Sequence, residues 1–140
     1  MQREAVNPWS WQDAWGFTQA WAVDGPARHV YVSGQGALDE RGALLHEGDL
    51  ERQTERALAN LETVLTAAGA AVADVVKVNA YVTDIAAFQT GPAGPALVRF
   101  FLRRGVRPAL TVVEVGRLGV PGMAIEIEAT ACAATPDDRT

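Results

Sequence analysis

The sequence predicts an α+β fold, one sheet with two helices on a single face, and three observations carry that expectation. A helical stripe of apolar residues begins after Asp49, and a strictly alternating segment follows at residues 76–83. Two apolar-rich runs with strand character come last, at residues 108–115 and 126–131.

Taken in order, residues 17–22 and 29–33 read as two strands joined by Asp24-Gly25-Pro26, residue types that favour a turn. Asp39-Glu40-Arg41-Gly42 makes a polar turn before the first helix. From Asp49, the residues Leu50, Ala57, Leu58, Leu61, Val64, Leu65 and Ala68 recur mostly at steps of three and four, which is one stripe of an amphipathic helix. Asp49 is placed to N-cap it, and Gly69 to end it in the left-handed conformation. Val76, Val78, Ala80 and Val82 then alternate with Lys77, Asn79, Tyr81 and Thr83, the period of a strand with one buried face. A second helix covers about residues 95–104, with Pro95 in its first turn, Leu97, Val98, Phe101 and Leu102 on its apolar side, and Gly105 closing it. In the last strand Met123, Ile125, Ile127 and Ala129 fall on one side and Glu126, Glu128 and Thr130 on the other. Each helix has only one apolar stripe to bury, so both cover the same face of the sheet. Self-association is the expected cover for the other face.

Composition narrows the classes of function. At 140 residues, 49% hydrophobic and 21% charged, the chain is expected to form one domain over residues 1–140, with an N-terminal arm at 1–14 and a flexible tail at 134–140. Twelve Lys and Arg against 17 Asp and Glu leave a net charge of −5, and no basic run extends beyond Arg103-Arg104, which argues against nucleic acid as a partner. The single cysteine, Cys132, has no internal disulfide partner and is expected to be a small buried filler. The start Met1-Gln2-Arg3-Glu4 lacks the features of a signal peptide, and no apolar run reaches membrane-spanning length, so a cytoplasmic location and no membrane partner are expected. His29 and His46, far apart and with one cysteine to join them, make a poor zinc site; neither metal nor other cofactor is expected.

Several short motifs recur in a particular order: Ser33-Gly34-Gln35, Gln53 with Asn60-Leu61, Ala67-Ala68-Gly69, Asp74-Val75-Val76-Lys77, Tyr81-Val82-Thr83-Asp84, Pro108-Ala109, Val113-Glu114-Val115 with Leu118, and Glu126-Ile127-Glu128. Together, over residues 15–133, they resemble the YjgF/RidA family, the reactive-intermediate deaminases. The resemblance implies a chorismate-mutase-like fold, a homotrimer with clefts between subunits, and a small-molecule ligand. In deaminating relatives an arginine at the position of Leu110 binds the substrate carboxylate, and a glutamate matching Glu126 positions or activates the attacking water. A guanidinium fork matches a carboxylate bidentately, which leucine cannot do. The family's cleft tyrosine aligns with Phe17 and its cleft cysteine with Val112, while its usual asparagine has no clear match within Gly91-Pro92-Ala93-Gly94. The chain therefore resembles a divergent member that lacks the substrate-binding arginine and whose pocket has turned toward apolar or aromatic ligands.

The expected site follows from these positions. Glu126 is the candidate catalytic residue; Trp15, Phe17, Ser33, Gly34, Leu110 and Val112 are candidate substrate-binding residues, Gly34 through its backbone N–H. All four tryptophans, Trp9, Trp11, Trp15 and Trp21, fall early in the chain, where they either anchor an N-terminal arm or, for Trp15 and Trp11, line the cleft mouth beside Phe17. Glu128 reads as an interface ion pair or a solvated rim. Arg107 lies at an odd offset from Leu110, and Arg99, Arg103 and Arg104 fall on the second helix as solvated groups or near its C-terminal dipole. The expected function is an enzyme acting on a reactive imine, enamine or related carbonyl intermediate; the alternative is a non-catalytic small-molecule binder on the same trimer. Ribonuclease activity fits poorly with the acidic balance and the absence of a histidine pair.

Overall fold

The computed structural model describes residues 1–139. Nine elements of regular secondary structure follow one another as strands β1 (Gln2–Val6), β2 (Ala20–Asp24) and β3 (Arg28–Gln35), helix α1 (Leu50–Ala67), strand β4 (Val75–Val82), helices α2 (Ile85–Thr90) and α3 (Ala93–Leu102), and strands β5 (Ala109–Glu114) and β6 (Ile125–Ala133). Three short 3-10 helices, at Trp11–Trp15, Val72–Asp74 and Pro136–Arg139, complete the described chain. The last of these lies in the segment expected as a flexible tail; Thr140 of that segment lies outside the described residues.

The main sheet is mixed, in the order β3-β6-β4-β5. β6 pairs antiparallel with both β3 and β4, whereas β4 and β5 run parallel. A parallel pair cannot be joined by a tight turn, and α2 and α3 supply the crossover. β1 and β2 form a separate antiparallel ribbon, so the first expected strand lies outside the main sheet instead of within it, and a bridge between Thr18 and Ala109 ties the chain to the β5 edge. This ribbon explains why the first expected strand starts later than its apolar content suggests. Val6 lies opposite Ala20, so pairing begins there, while Thr18 N donates to Pro108 O at 3.2 Å and Gln19 N to Asn7 Oδ1 at 2.8 Å.

Helix α1 forms where its stripe places it. Asp49 Oδ1 accepts from Arg52 N at 3.0 Å, satisfying one of the orphan donors of the first turn. At the other end Gly69 adopts φ 77°, with Ala70 N donating to Leu65 O at 2.9 Å and Gly69 N to Thr66 O at 3.0 Å, the paired bonds of a Schellman closure. Leu58, Leu61 and Leu65 are buried, and Val64 sits off the stripe at 36% exposure. Gln53 and Thr54 share the buried face. Gln53 Nε2 donates to His46 O and Gly122 O at 3.2 and 3.1 Å, while its Oε1 accepts from Ala124 N at 2.8 Å, so the buried amide is satisfied and pins the loop entering β6.

The second predicted helix begins two residues early, at Ala93, leaving Pro95 in the first turn where no backbone donor is required. The short α2 was not anticipated, although its signal is present: Asp84 Oδ1 accepts from Ala87 N at 2.9 Å as an N-cap. Glu114 Oε1 at the end of β5 also accepts, from Ile85 N at 3.1 Å, tying that strand to the same helix start. Leu97 and Phe101 of α3 join the α1 leucines over Val78, Ala80, Ile125 and Ile127. All of these are nearly inaccessible, so one face of the sheet carries the hydrophobic core.

Candidate functional site

The parallel β4–β5 register sets Leu110 opposite Val78 and Val112 opposite Ala80. Side chains alternate along a strand, so Leu110 and Val112 face the helix-covered side with those two core residues. Helix α3 brings Leu97, Val98 and Arg99 beside them, and α2 brings Phe88 and Gln89. The chain then closes the wall from its N-terminal side. The 3-10 helix Trp11–Trp15 ends on Gly16 at φ 74°, a left-handed turn that delivers both Trp15 and Phe17 to the same space. A Cβ at Gly16 would collide with the Val98 side chain, so glycine is required there on two counts. The cavity is partly open to solvent and measures about 490 Å³. That volume suits a small organic ligand, and most of its walls are carbon. Trp11 packs edge-on against Phe17 with ring centroids 5.9 Å apart, and Trp9, Trp11 and Trp15 are all more than half exposed. Trp21 is used otherwise, packing against the core and donating from Nε1 to Arg107 O at 2.9 Å.

Ser33, Gly34 and Glu126 lie elsewhere. Glu126 pairs with Tyr81, and Tyr81 is three residues from Val78, so the Glu126 side chain points to the sheet face opposite Leu110. The β3–β6 pairing jumps from Val32 opposite Ala129 to Gln35 opposite Ile127, leaving a bulge at Ser33 and Gly34. A Cβ at Gly34 would run into the Glu126 carboxylate, so this glycine makes room for that side chain. The seven expected site residues thus form two groups within one chain: Trp15, Phe17, Leu110 and Val112 around the cavity, and Ser33, Gly34 and Glu126 on the open face.

The open face has its own polar order. Glu128 Oε1 accepts from the Tyr81 hydroxyl at 2.6 Å and from Asn79 Nδ2 at 3.0 Å. These bonds, Tyr81's first and Asn79's second, stabilise the charged form and hold the Glu128 carboxyl below its ordinary value, while the same contact holds the Tyr81 hydroxyl above its own. Lys77 Nζ donates to Thr111 Oγ1 at 2.7 Å, and burial lowers its pKa. Glu128 is therefore a hydrogen-bonded acceptor here rather than half of an ion pair, among the described residues. Cys132 is buried, its thiol pushed up mainly by that burial, with His29 Nδ1 at 3.6 Å from Sγ. Among the described residues no group of three or more His, Cys, Asp or Glu is placed to hold a metal ion.

Of the lining residues that the sequence did not single out for the site, two carry polar or charged side chains, Gln89 and Arg99. The Asp84 cap marks the helix that carries Gln89. Arg99 was expected on a solvated helix surface, and it is exposed, yet this flank of α3 also borders the cavity. Two of the other arginines considered, Arg104 and Arg107, are engaged elsewhere. Arg104 makes a two-pronged contact with Glu62, from Nη2 to Oε2 at 2.7 Å and from Nε to Oε1 at 3.3 Å, and lies 3.9 Å from the Phe100 ring centroid. Arg107 Nη1 lies 3.8 Å from Asp13 Oδ1.

A mixed four-stranded sheet with one layer of helices and a cavity beside its parallel edge strand defines the chain as a Rid-fold protein. The sequence profile of the family described as Endoribonuclease L-PSP matches residues 13–133, and the chain belongs to this family, the YjgF/RidA group. Its similarity to the 2-iminobutanoate/2-iminopropanoate deaminase of Rattus norvegicus is 36% identity over 115 residues, covering 82% of this chain and 78% of the relative. Among solved structures, YyfB of Yersinia pestis, a protein of unknown function in the conserved Rid family, superposes with a TM-score of 0.81 at 36% identity, covering 94% of this chain and 99% of YyfB. The YjgF gene product of E. coli superposes with a TM-score of 0.66 at 32% identity, covering 82% of this chain and 86% of its own. No described helix is long and apolar enough to cross a membrane.

Proposed function

We propose that the chain is a Rid-type enzyme that hydrolyses a reactive imine, or an enamine after tautomerisation, whose substituent is apolar or aromatic. The carrying observation is the cavity itself, with Leu110, Val112 and Phe17 in its wall. An apolar wall gains free energy by taking apolar surface out of water, and it offers a small polar imino acid little. In the reaction, water adds to the imine carbon, a proton passes to nitrogen, the C–N bond breaks, and ammonia and a carbonyl compound leave. Glu126 takes the proton from the water, and the Gly34 N–H and Ser33 bind the developing oxygen charge.

Since Glu126 and Leu110 occupy opposite faces of one sheet, this chemistry requires a second copy of the chain. We assign the working form as a cytoplasmic homotrimer in which the cavity of one copy meets Ser33, Gly34 and Glu126 of the next. The polar open face, with Tyr31 at 78% exposure, is the surface such an assembly would cover. A deaminase among the relatives supports the reaction class. The second reading is a non-catalytic small-molecule binder, favoured by one observation: no carboxylate lines the cavity among the described residues.

An amino-acid oxidase generating 2-imino acids in situ, with semicarbazide trapping the unhydrolysed imine, separates the two. The enzyme reading expects faster loss of trappable imine from aromatic and branched substrates, abolished by Glu126→Gln. Unchanged trapping for every imine, from protein that sediments as a trimer, leaves the binder.

A further inference from the structure

We infer that Arg99 is the anion-binding residue of the cavity, and that the preferred ligand has an apolar or aromatic body and a carboxylate at its outer end. This rests on the cavity being the ligand site proposed above, and it goes further by naming the group that fixes ligand polarity. Among the described residues around the cavity, only Arg99 carries a charge, and Gln89 and the Trp15 indole supply the other side-chain hydrogen-bonding groups. Arg99 has no ion pair and no side-chain hydrogen bond among the described residues, in contrast to Arg104 on Glu62 and Arg107 near Asp13. An uncommitted guanidinium with five donors, beside a low-dielectric wall, selects a planar anion such as a carboxylate.

The location matters as much as the charge. Leu110 and Val112 sit on the strand that floors the cavity, while Arg99 lies on the exposed flank of α3. A ligand anchored at Arg99 therefore holds its carboxylate near solvent and sends its apolar part inward toward Leu110, Val112 and Phe17. A two-carbon or three-carbon acid has no such apolar part, so it would have to choose between the cation and the wall. Aromatic and long branched 2-oxo or 2-imino acids satisfy both at once.

Binding to the purified full-length protein tests this without depending on turnover. Trp15 lines the cavity, so tryptophan fluorescence together with calorimetry can follow phenylpyruvate, phenylacetone, which keeps the ring and carbonyl but lacks the carboxylate, and pyruvate, which lacks the ring. The wild type is expected to bind phenylpyruvate about tenfold more tightly than either of the others, the scale of one charge-assisted contact at a partly solvated site. Arg99→Gln should erase the preference over phenylacetone while leaving phenylacetone affinity unchanged, and Arg99→Lys should retain part of it in a salt-sensitive form. Equal phenylpyruvate affinity in wild type and Arg99→Gln overturns the inference, as does the absence of phenylpyruvate binding to the wild type. The failures are distinguishable from those of the proposed reaction. Arg99-dependent binding with no imine hydrolysis sinks only the enzyme, and aromatic imine hydrolysis indifferent to Arg99→Gln sinks only this assignment.

Discussion

Across the central strand pair, the Tyr81 hydroxyl donates to Glu128 Oε1 at 2.6 Å, with Asn79 Nδ2 on the same oxygen at 3.0 Å. Both donors stabilise the carboxylate, so the Glu128 pKa is depressed in the folded chain. A depressed carboxyl contributes stability that is present above its ordinary value of 4.5 and is lost as the pH falls through the lower folded value. Tyr81→Phe removes the larger of the two causes, so the Glu128 pKa should rise part of the way back. Stability should then change less between neutral pH and the acid side of 4.5 than it does in the wild type. Urea unfolding across that range, with an NMR titration of Glu128, measures both; identical pH slopes in the two proteins would contradict the assignment.

Gly34→Ala tests whether the space beside Glu126 serves the chemistry. The three atoms nearest the added Cβ all belong to the Glu126 side chain, the far end of a movable group, so the fold should survive with little change in melting temperature. The carboxylate must shift, and a displacement of that order costs about tenfold to hundredfold in turnover. Imine hydrolysis at wild-type rate by the folded variant would remove Gly34 and Glu126 from the proposed reaction.

Gln53→Leu probes the link between α1 and the loop leading to β6. It leaves His46 O, Gly122 O and Ala124 N without their partner. The expected loss is about 2–4 kcal/mol, because orphaned buried polar groups cost more than the bonds themselves add. Chemical denaturation gives the value directly; a loss below about 1 kcal/mol would mean that water replaces the amide without penalty.

Leu110→Arg puts a fixed charge on the cavity floor. Affinity for pyruvate should rise about tenfold, and stability should fall by about 1–2 kcal/mol as the half-buried leucine gives up its packing against the core. Isothermal titration and urea melts check the two numbers. A stable variant that gains no affinity would show that the floor is not where ligand carboxylates reach.

Much of this arrangement is legible in the chain, and for local reasons. The α1 stripe, its Asp49 cap and its Gly69 closure are properties of neighbouring residues, so they can be read without knowing what the helix covers. The alternation in β4 and β6 likewise separates Val78 and Ile127 from Asn79 and Glu128 before any pairing is known. The β1–β2 ribbon is harder to see, since Gln2–Val6 is short and mostly exposed and becomes a strand only by meeting a partner. Helix α2 was missed because six residues carry too little periodicity to stand out beside an adjoining Gly91-Pro92.

By itself, the sequence determined the α+β class, the family, a leucine at position 110 and the identities of the aromatic groups near the N-terminus. Those follow from residue type and short-range spacing. Only the tertiary structure decided that Leu110 and Glu126 face opposite ways, that Gly34 lies against the Glu126 carboxylate, and that Arg99 and Gln89 border the cavity. The reason is that periodicity assigns a side chain to a face of its own element, whereas strand register and the docking of α3 on the sheet decide what that face meets.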